Sequence, residues 1–354
     1  MSTEVVGGSR PEVDAALLLL AKLGLSPDDL VAGAVAARPP VPTFAEFVPQ
    51  VAAATTPGTL KAYGSYWNRV VEQWGSRRLD EPTPLEIAQL GKQLRAGRTI
   101  RRNGRGGAGA EENYVSAMRC LYRRAVDNNL LSQAENPAAK VPKPKRQESA
   151  RHALSDARLA EINEVAATTG NDPALDTLLL RFHTETGCRR GGALSLRRRD
   201  LDEKHFLVLL REKGGTMRWQ PVSPTLMRHL VAHWDERGHG NSRSDAQLLR
   251  YASGKPITYR RYDGLWVRIG EHLPWVVTQG ISAHWLRHTV ITWVERTFGY
   301  AVARAFAGHS PGGGDGGTTT TYIKASLAEV AAAVAALTGE PHPLADDSET
   351  LSMG

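Results

Sequence analysis

The chain has 354 residues, with 44 Lys and Arg against 37 Asp and Glu, a formal charge of +7 and 41% hydrophobic content. That is enough for about two domains with ordinary cores, and the basic balance favours a polyanionic partner, most simply nucleic acid. Cys120 and Cys188 lie far apart with no CxxC pattern, which argues against a disulfide framework or a cysteine zinc site and fits a cytoplasmic protein. The longest apolar run near the start, Ala15–Ala21, is too short for a membrane span, and Glu12 and Asp14 precede it where a signal peptide is basic.

Val13–Leu23 is apolar at helical spacing. Ser26-Pro27-Asp28-Asp29 then reads as a helix start, with an N-cap serine, proline at the first position and acids in the first turn. Residues 1–42 are therefore predicted to be an N-terminal helical appendage, partly disordered, used for packing or for oligomerisation. Residues 43–135 read as an all-helical domain. Phe44, Phe47 and Val51 mark one apolar face; Leu60, Tyr63, Trp67, Val70, Val71 and Trp74 mark another. Leu85–Leu94 forms a third helix, and Tyr114, Met118, Leu121 and Ala125 line a fourth. Between the last two lies an Arg- and Gly-rich loop with Arg101 and Arg102, suited to a phosphate backbone or simply solvated. Arg119, Arg123 and Arg124 fall off the apolar stripe of the fourth helix and are available to a groove.

Residues 136–150 read as a linker. Pro137, Pro142 and Pro144 disfavour a helix, and Lys140, Lys143, Lys145 and Arg146 make the strap basic. A second domain is predicted over 151–338. It opens with a helix start at Leu154-Ser155-Asp156 and continues with a strongly apolar helix over Pro173–Thr186 that runs into T-G-C-R-R-G-G. Residues 205–210 and 218–222 are predicted strands joined by a hairpin at Lys213-Gly214-Gly215-Thr216, since Gly-Gly supplies the positive φ such turns need. Ser282 is expected to cap the helix carrying His284, Arg287 and His288, with His284 and Arg287 sharing a face at i, i+3 and His288 turned inward. Phe298-Gly299-Tyr300 reads as a helix end with buried aromatics. Residues 327–337 form a short amphipathic helix, and 339–354 read as a disordered tail.

Taken in order, T-G-C-R at 186–189, R-E-K-G-G at 211–215, H-W-L-R-H-T at 284–289, A-G-H at 307–309 and T-T-T-T-Y at 318–322 resemble the tyrosine site-specific recombinases, the phage integrase family. Each element alone is weak; the set in one order is specific. The resemblance covers roughly 43–337 and implies a mainly α fold with a small antiparallel β-sheet, comprising a helical core-binding domain and a mixed α/β catalytic domain. It implies an enzyme that cuts and rejoins double-stranded DNA through a 3′-phosphotyrosyl bond, as a tetramer, without ATP, metal or other cofactor. Tyr322 would be the nucleophile. Arg189 and Arg287 would hold the non-bridging phosphate oxygens, Lys213 would protonate the leaving 5′-oxygen, His284 would accept the tyrosine proton and His309 would donate to the phosphate. Thr59, Lys61 and Tyr63, in T-L-K-A-Y, look like the start of the first DNA-facing helix; with Arg101, Arg102, Arg119, Arg123, Lys143, Lys145 and Arg146 they form the expected DNA-binding set. The helix 327–337 would dock on a neighbouring subunit or pack in cis.

Two departures stand out. The family usually carries an acid three positions after the first arginine, where this chain has Gly192, so another group must orient the arginine or activity falls. The His309–Tyr322 spacing is also longer than usual, through P-G-G-G-D-G-G. Both keep open a weakened or inactive DNA-binding paralogue with a structural or regulatory role. A type IB topoisomerase-like strand transferase shares the chemistry and is the other alternative, against which the helical lobe and basic linker argue.

Overall fold

The computed structural model describes residues 10–23, 26–30, 39–96, 108–144, 152–212, 215–238, 245–309 and 325–345. The chain divides into two compact units, Met1–Glu148 and Ser149–Gly354.

The first unit contains helices α1 (Arg10–Lys22), α2 (Phe44–Ala53), α3 (Pro57–Trp74), α4 (Pro84–Ala96) and α5 (Ala108–Asp127). The α1 leucines Leu17, Leu18 and Leu19 are exposed, so this helix adds nothing to the unit's core. Helix α2 begins in a capping box: Glu46 donates its backbone N–H to the Thr43 hydroxyl, and its carboxylate accepts the Thr43 N–H at 2.8 Å. Thr56 and Pro57 start α3 in the same economical way, one accepting the Thr59 N–H and the other presetting φ. Phe44, Trp67, Val70, Ile87, Tyr114, Met118 and Leu121 form one core. Two of its polar tips are satisfied, while the buried Tyr114 hydroxyl finds no partner among the described residues. The Trp67 indole donates to the Ala117 carbonyl at 3.0 Å, and the Tyr122 hydroxyl donates to the Leu79 carbonyl at 2.9 Å. Leu60, assigned to the apolar stripe of α3, is 40% exposed, because the buried part of that stripe starts one turn later.

The beginning of the proline-rich segment is not a free strap. Pro137–Ala139 forms a 3₁₀ turn capped by Asn136, and Ala138 and Val141 are buried in the first core. Arg119 holds this return, donating to the Val141 carbonyl at 2.8 Å and to the Ala138 carbonyl at 3.4 Å.

The second unit contains α6 (Asp156–Thr168), α7 (Pro173–Thr186), α8 (Arg190–Leu194), α9 (Pro224–Arg237), α10 (Tyr259–His272), α11 (Pro274–Gln279), α12 (Ala283–Ala307) and α13 (Leu327–Thr338). An antiparallel three-stranded sheet joins α8 to α9, ordered β1 (Leu201–Asp202), β2 (Leu207–Arg211), β3 (Met217–Pro221). The β2–β3 register runs from Leu207↔Pro221 to Arg211↔Met217. The first predicted strand began two residues too early. Asp202 accepts the His205 N–H at 3.1 Å and Phe206 has φ +51°, so 203–206 is a turn rather than strand. Helix α7 is the central element. Leu175, Leu179 and Phe182 are fully buried, and α7 packs on α6, α9 and α12.

Helix α13 packs in cis. Val330, Ala333 and Val334 are buried against Val290, Val294 and Phe306 of α12, so these residues are used within their own unit. No described helix is long and apolar enough to cross a membrane.

Candidate active site

Two glycine-capped helix ends build the site. Helix α7 stops at Gly187, whose N–H closes the last turn on the His183 carbonyl at 3.0 Å and whose left-handed φ of +55° turns the chain away. A Cβ at 187 would also lie 2.9 Å from the Phe306 ring. Beyond it Cys188 is buried, and its carbonyl accepts from His183 Nδ1 at 3.1 Å. Arg189 follows in extended geometry as the residue before α8, half-buried and paired with the carboxylate of Glu212.

The second end belongs to α12, which bends at Gly299 (φ +84°, ψ 172°) and stops at Gly308 (φ +64°). Past that cap the His309 N–H bonds the Arg304 carbonyl at 3.0 Å. A Cβ at 308 would collide with the Arg218 guanidinium. Arg287 lies in the first part of α12 and is buried. It donates to the Gly187 carbonyl, to the Ala307 carbonyl at 2.7 Å, and approaches His309 Nε2 at 3.4 Å. Arg287 therefore ties the α7 end to the α12 end, and so fixes the approach of both Arg189 and His309. Ser282 stands at the N-cap of α12 but makes no side-chain cap bond; its backbone carbonyl takes the Trp285 N–H at 2.7 Å instead.

Glu212 lies among three cations. One oxygen accepts from Arg189; the other is 3.7 Å from Arg287 and 3.6 Å from Arg218. Its side chain is almost wholly buried. Three guanidinium groups against one carboxylate leave the cluster positive, which suits a phosphate diester. Burial pushes Arg287 down to about 10, helped by the Arg189 charge and opposed by Glu212. His309 is also pushed down, first by partial burial and then by the Arg287 and Arg189 charges, which favours neutral imidazole.

His284 is exposed on α12 and lines one cleft with Arg189, Arg190, Gly191 and Tyr259. It shares the helix with Arg287, yet the two differ sharply in exposure. His288 is half-buried, its Nδ1 3.1 Å from the Thr292 hydroxyl. Tyr300 is 54% exposed rather than buried, and its hydroxyl accepts from Arg304 at 2.9 Å. Among the described residues no group of three His, Cys, Asp or Glu forms a metal site.

The structure thus gathers Arg189, Arg287 and His309, and puts His284 beside Arg189. Lys213 and Tyr322 lie outside the described residues, as do Arg101, Arg102, Lys145 and Arg146. In the first unit Lys61 and Arg123 are exposed, Thr59 belongs to the cap of α3, and the half-buried Tyr63 ring packs edge-on to Trp67 at 5.9 Å. Lys143 is exposed and 3.4 Å from Glu112. Arg119 is a correction: its guanidinium holds Ala138 and Val141, because the chain after α5 folds back over it.

Glu212 and Arg218 were not singled out in the sequence. The available signal was indirect: Gly192 left the arginine without its usual acid, and Glu212 is an acid next to Lys213.

The phage integrase family model matches residues 152–327. Over 207 residues the chain is 26% identical to the tyrosine recombinase XerC of Pelobacter propionicus, covering 58% of this chain and 62% of that relative, under two thirds of its length. Over 247 residues it is 24% identical to the XerC of Chlamydia caviae, covering 69% of this chain and 72% of the relative. The fold matches a lambda integrase tetramer bound to a Holliday junction (TM-score 0.58, 14% identity, 91% of this chain and 89% of that one). It also matches the Tn1549 transposon integrase in complex with transposon right end DNA (TM-score 0.58, 15% identity, 81% and 97%). At these identities the structural likeness speaks for the fold.

Proposed function

Through residues 152–327 the chain belongs to the phage integrase family, and from that premise we propose that it is a tyrosine site-specific recombinase, cutting and rejoining double-stranded DNA in the cytoplasm. The carrying observation is that Arg189, Arg287 and His309, far apart in sequence, converge on one positive cluster, with His284 on the adjoining cleft.

The hydroxyl of Tyr322 attacks the phosphorus of a phosphodiester. A bond forms between the tyrosine oxygen and the 3′-phosphate, and the bond to the 5′-oxygen breaks. The tyrosine proton passes to His284, a group whose ordinary pKa suits proton transfer near neutrality. The leaving 5′-oxygen takes a proton from Lys213. Arg189 and Arg287 carry the charge that develops on the non-bridging oxygens, and His309 donates to one of them. A 5′-hydroxyl from a second duplex then attacks the phosphotyrosine and reverses the proton transfers. Bond energy stays in the covalent link, so the cycle consumes no nucleotide. Four protomers on two duplexes form the working assembly, and Thr59, Lys61, Tyr63, Arg101, Arg102, Arg123, Lys143, Lys145 and Arg146 contact the DNA. Residues 43–135 act as the core-binding domain and 151–338 as the catalytic domain.

A nicked suicide duplex, carrying the site the protein selects from a random pool, tests this reading. Wild type should form an SDS-resistant adduct and Tyr322→Phe should not. No wild-type adduct, or an adduct with Tyr322→Phe, overturns the reading.

A further inference from the structure

Gly192 leaves this chain without the acid expected three positions after Arg189, yet Arg189 is not without a carboxylate. Glu212 reaches it from the end of β2. Gly192 stands in the short helix α8, with backbone any residue can adopt. A Cβ built on it would lie 3.8 Å from Glu212 Cγ, 3.6 Å from Cys188 Cβ and 3.6 Å from the Arg211 carbonyl, all ordinary contacts. A side chain at 192 would therefore enter the space that the stem of Glu212 occupies. The two positions are alternative roots for one carboxylate.

The environment of Glu212 fits an orienting task. One oxygen is fully engaged by Arg189. The other has no hydrogen-bond partner among the described residues, but lies 3.6 Å from Arg218 and 3.7 Å from Arg287. A buried charge with so little water is tolerable only beside opposite charges, and three guanidinium groups provide them. The backbone of Glu212 is held as well, its N–H donating to the Thr216 carbonyl at 2.8 Å across the mouth of the hairpin. The acid is thus fixed at both ends before any phosphate arrives.

We propose that Glu212 is the positioning carboxylate of this site, replacing from the β2 end the acid that position 192 lacks and setting the geometry of Arg189 and Arg287. It does not touch the reacting atoms; it acts through the arginines. The proposal rests on the strand-transfer reading above.

The test moves the carboxylate. Adduct formation is followed on the suicide duplex at saturating DNA for wild type, Glu212→Gln, Glu212→Gly and the double variant Gly192→Asp with Glu212→Gly, with thermal melting and DNA affinity measured alongside. Glu212→Gln and Glu212→Gly should slow the adduct by about ten- to a hundredfold, the scale of losing an orienting partner, with DNA affinity within about threefold. The double variant should regain at least half of that loss on a logarithmic scale. On a 5′-bridging phosphorothiolate duplex, whose leaving group needs no acid, the Glu212→Gln defect should persist, because the arginines are still misplaced. A wild-type rate in Glu212→Gln, no recovery in a double variant that melts like wild type, or full rescue by the phosphorothiolate overturns the proposal. If the Glu212 single variants fail to fold, the folded double variant decides by its rate. Absence of adduct from wild type itself would instead sink the strand-transfer reading.

Discussion

Arg287 and Ala307 both belong to α12, 20 residues apart, and are joined by a 2.7 Å hydrogen bond. A straight helix would separate them by about 30 Å, at roughly 1.5 Å per residue. The bend at Gly299 folds the second part of the helix back toward the first, so one continuous stretch supplies both Arg287 and the His309 beside it.

Gly299→Ala should therefore act through the backbone alone. Its φ of +84° with ψ of 172° is a conformation essentially limited to glycine, and a Cβ there meets nothing within 4 Å. Strain of this kind costs about 1–3 kcal/mol. Melting should fall by several degrees and adduct formation by at least about tenfold, since His309 shifts relative to Arg287. A variant that melts lower yet cleaves at the wild-type rate would show that the bend does not set the site.

Arg189 and Arg287 should separate under mutation. Arg189 is half-exposed and paired only with Glu212 among the described contacts, whereas Arg287 is buried and holds two carbonyls. Arg189→Lys is expected to lose about 10²–10³ in adduct rate, the usual scale for one fixed oxyanion donor, with little change in melting. Arg287→Ala should lose activity and also about 3–5 kcal/mol of stability, the range for breaking a buried charged network. Urea unfolding of the two variants side by side would decide; equal stabilities would refute the bracket role of Arg287.

Stability should depend on pH through His183. Burial pushes its pKa from 6.5 to about 4; Arg190 and Arg287 push the same way, while the bond to the Cys188 carbonyl and the Glu212 charge oppose it. A carbonyl can only accept, so Nδ1 carries the hydrogen, and Nε2 accepts from the Tyr262 hydroxyl at 2.8 Å. The folded state thus binds fewer protons than the unfolded one between those pH values. The contribution is fully present above about 6.5 and is lost as pH falls toward about 4. His233, pushed to about 4 mainly by burial, adds to the same slope. Melting temperatures from pH 7 to pH 4 should fall steadily, and His183→Gln should flatten the decline while lowering the midpoint at pH 7. An unchanged slope would refute the assignment.

Arg119 and Arg123 sit four residues apart on α5 and should behave oppositely. Arg119→Ala leaves the Ala138 and Val141 carbonyls without their donor and should cost the first unit about 1–3 kcal/mol. Arg123 is exposed, and Arg123→Ala should weaken DNA binding about equally on all sequences and reduce the salt slope by about one. Titrations at several salt concentrations would check this. A steeper loss of salt dependence in Arg119→Ala would reverse the assignment.

Much of this was legible in the chain itself. The caps at Thr43, Thr56, Ser155 and Ser223 are local rules, satisfied by atoms within three residues. Gly187 and Gly308 carry the left-handed caps that end their helices, a conformation that favours glycine. Arg189, Arg287 and His309 were named in advance through the family resemblance, which rests on T-G-C-R, H-W-L-R-H-T and A-G-H standing in one order.

The sequence by itself determined which helices form and many of their caps, because those depend on neighbours along the chain, and the family resemblance supplied the candidate site residues. Only the tertiary structure decided what each cation is paired with. Arg119 looked free until the chain after α5 folded back over it, and Arg189 looked short of an acid until β2 delivered Glu212. Both pairings join residues more than 15 positions apart. Charge pairing acts through space and grows as water is excluded, so no periodicity in the sequence could have reported it.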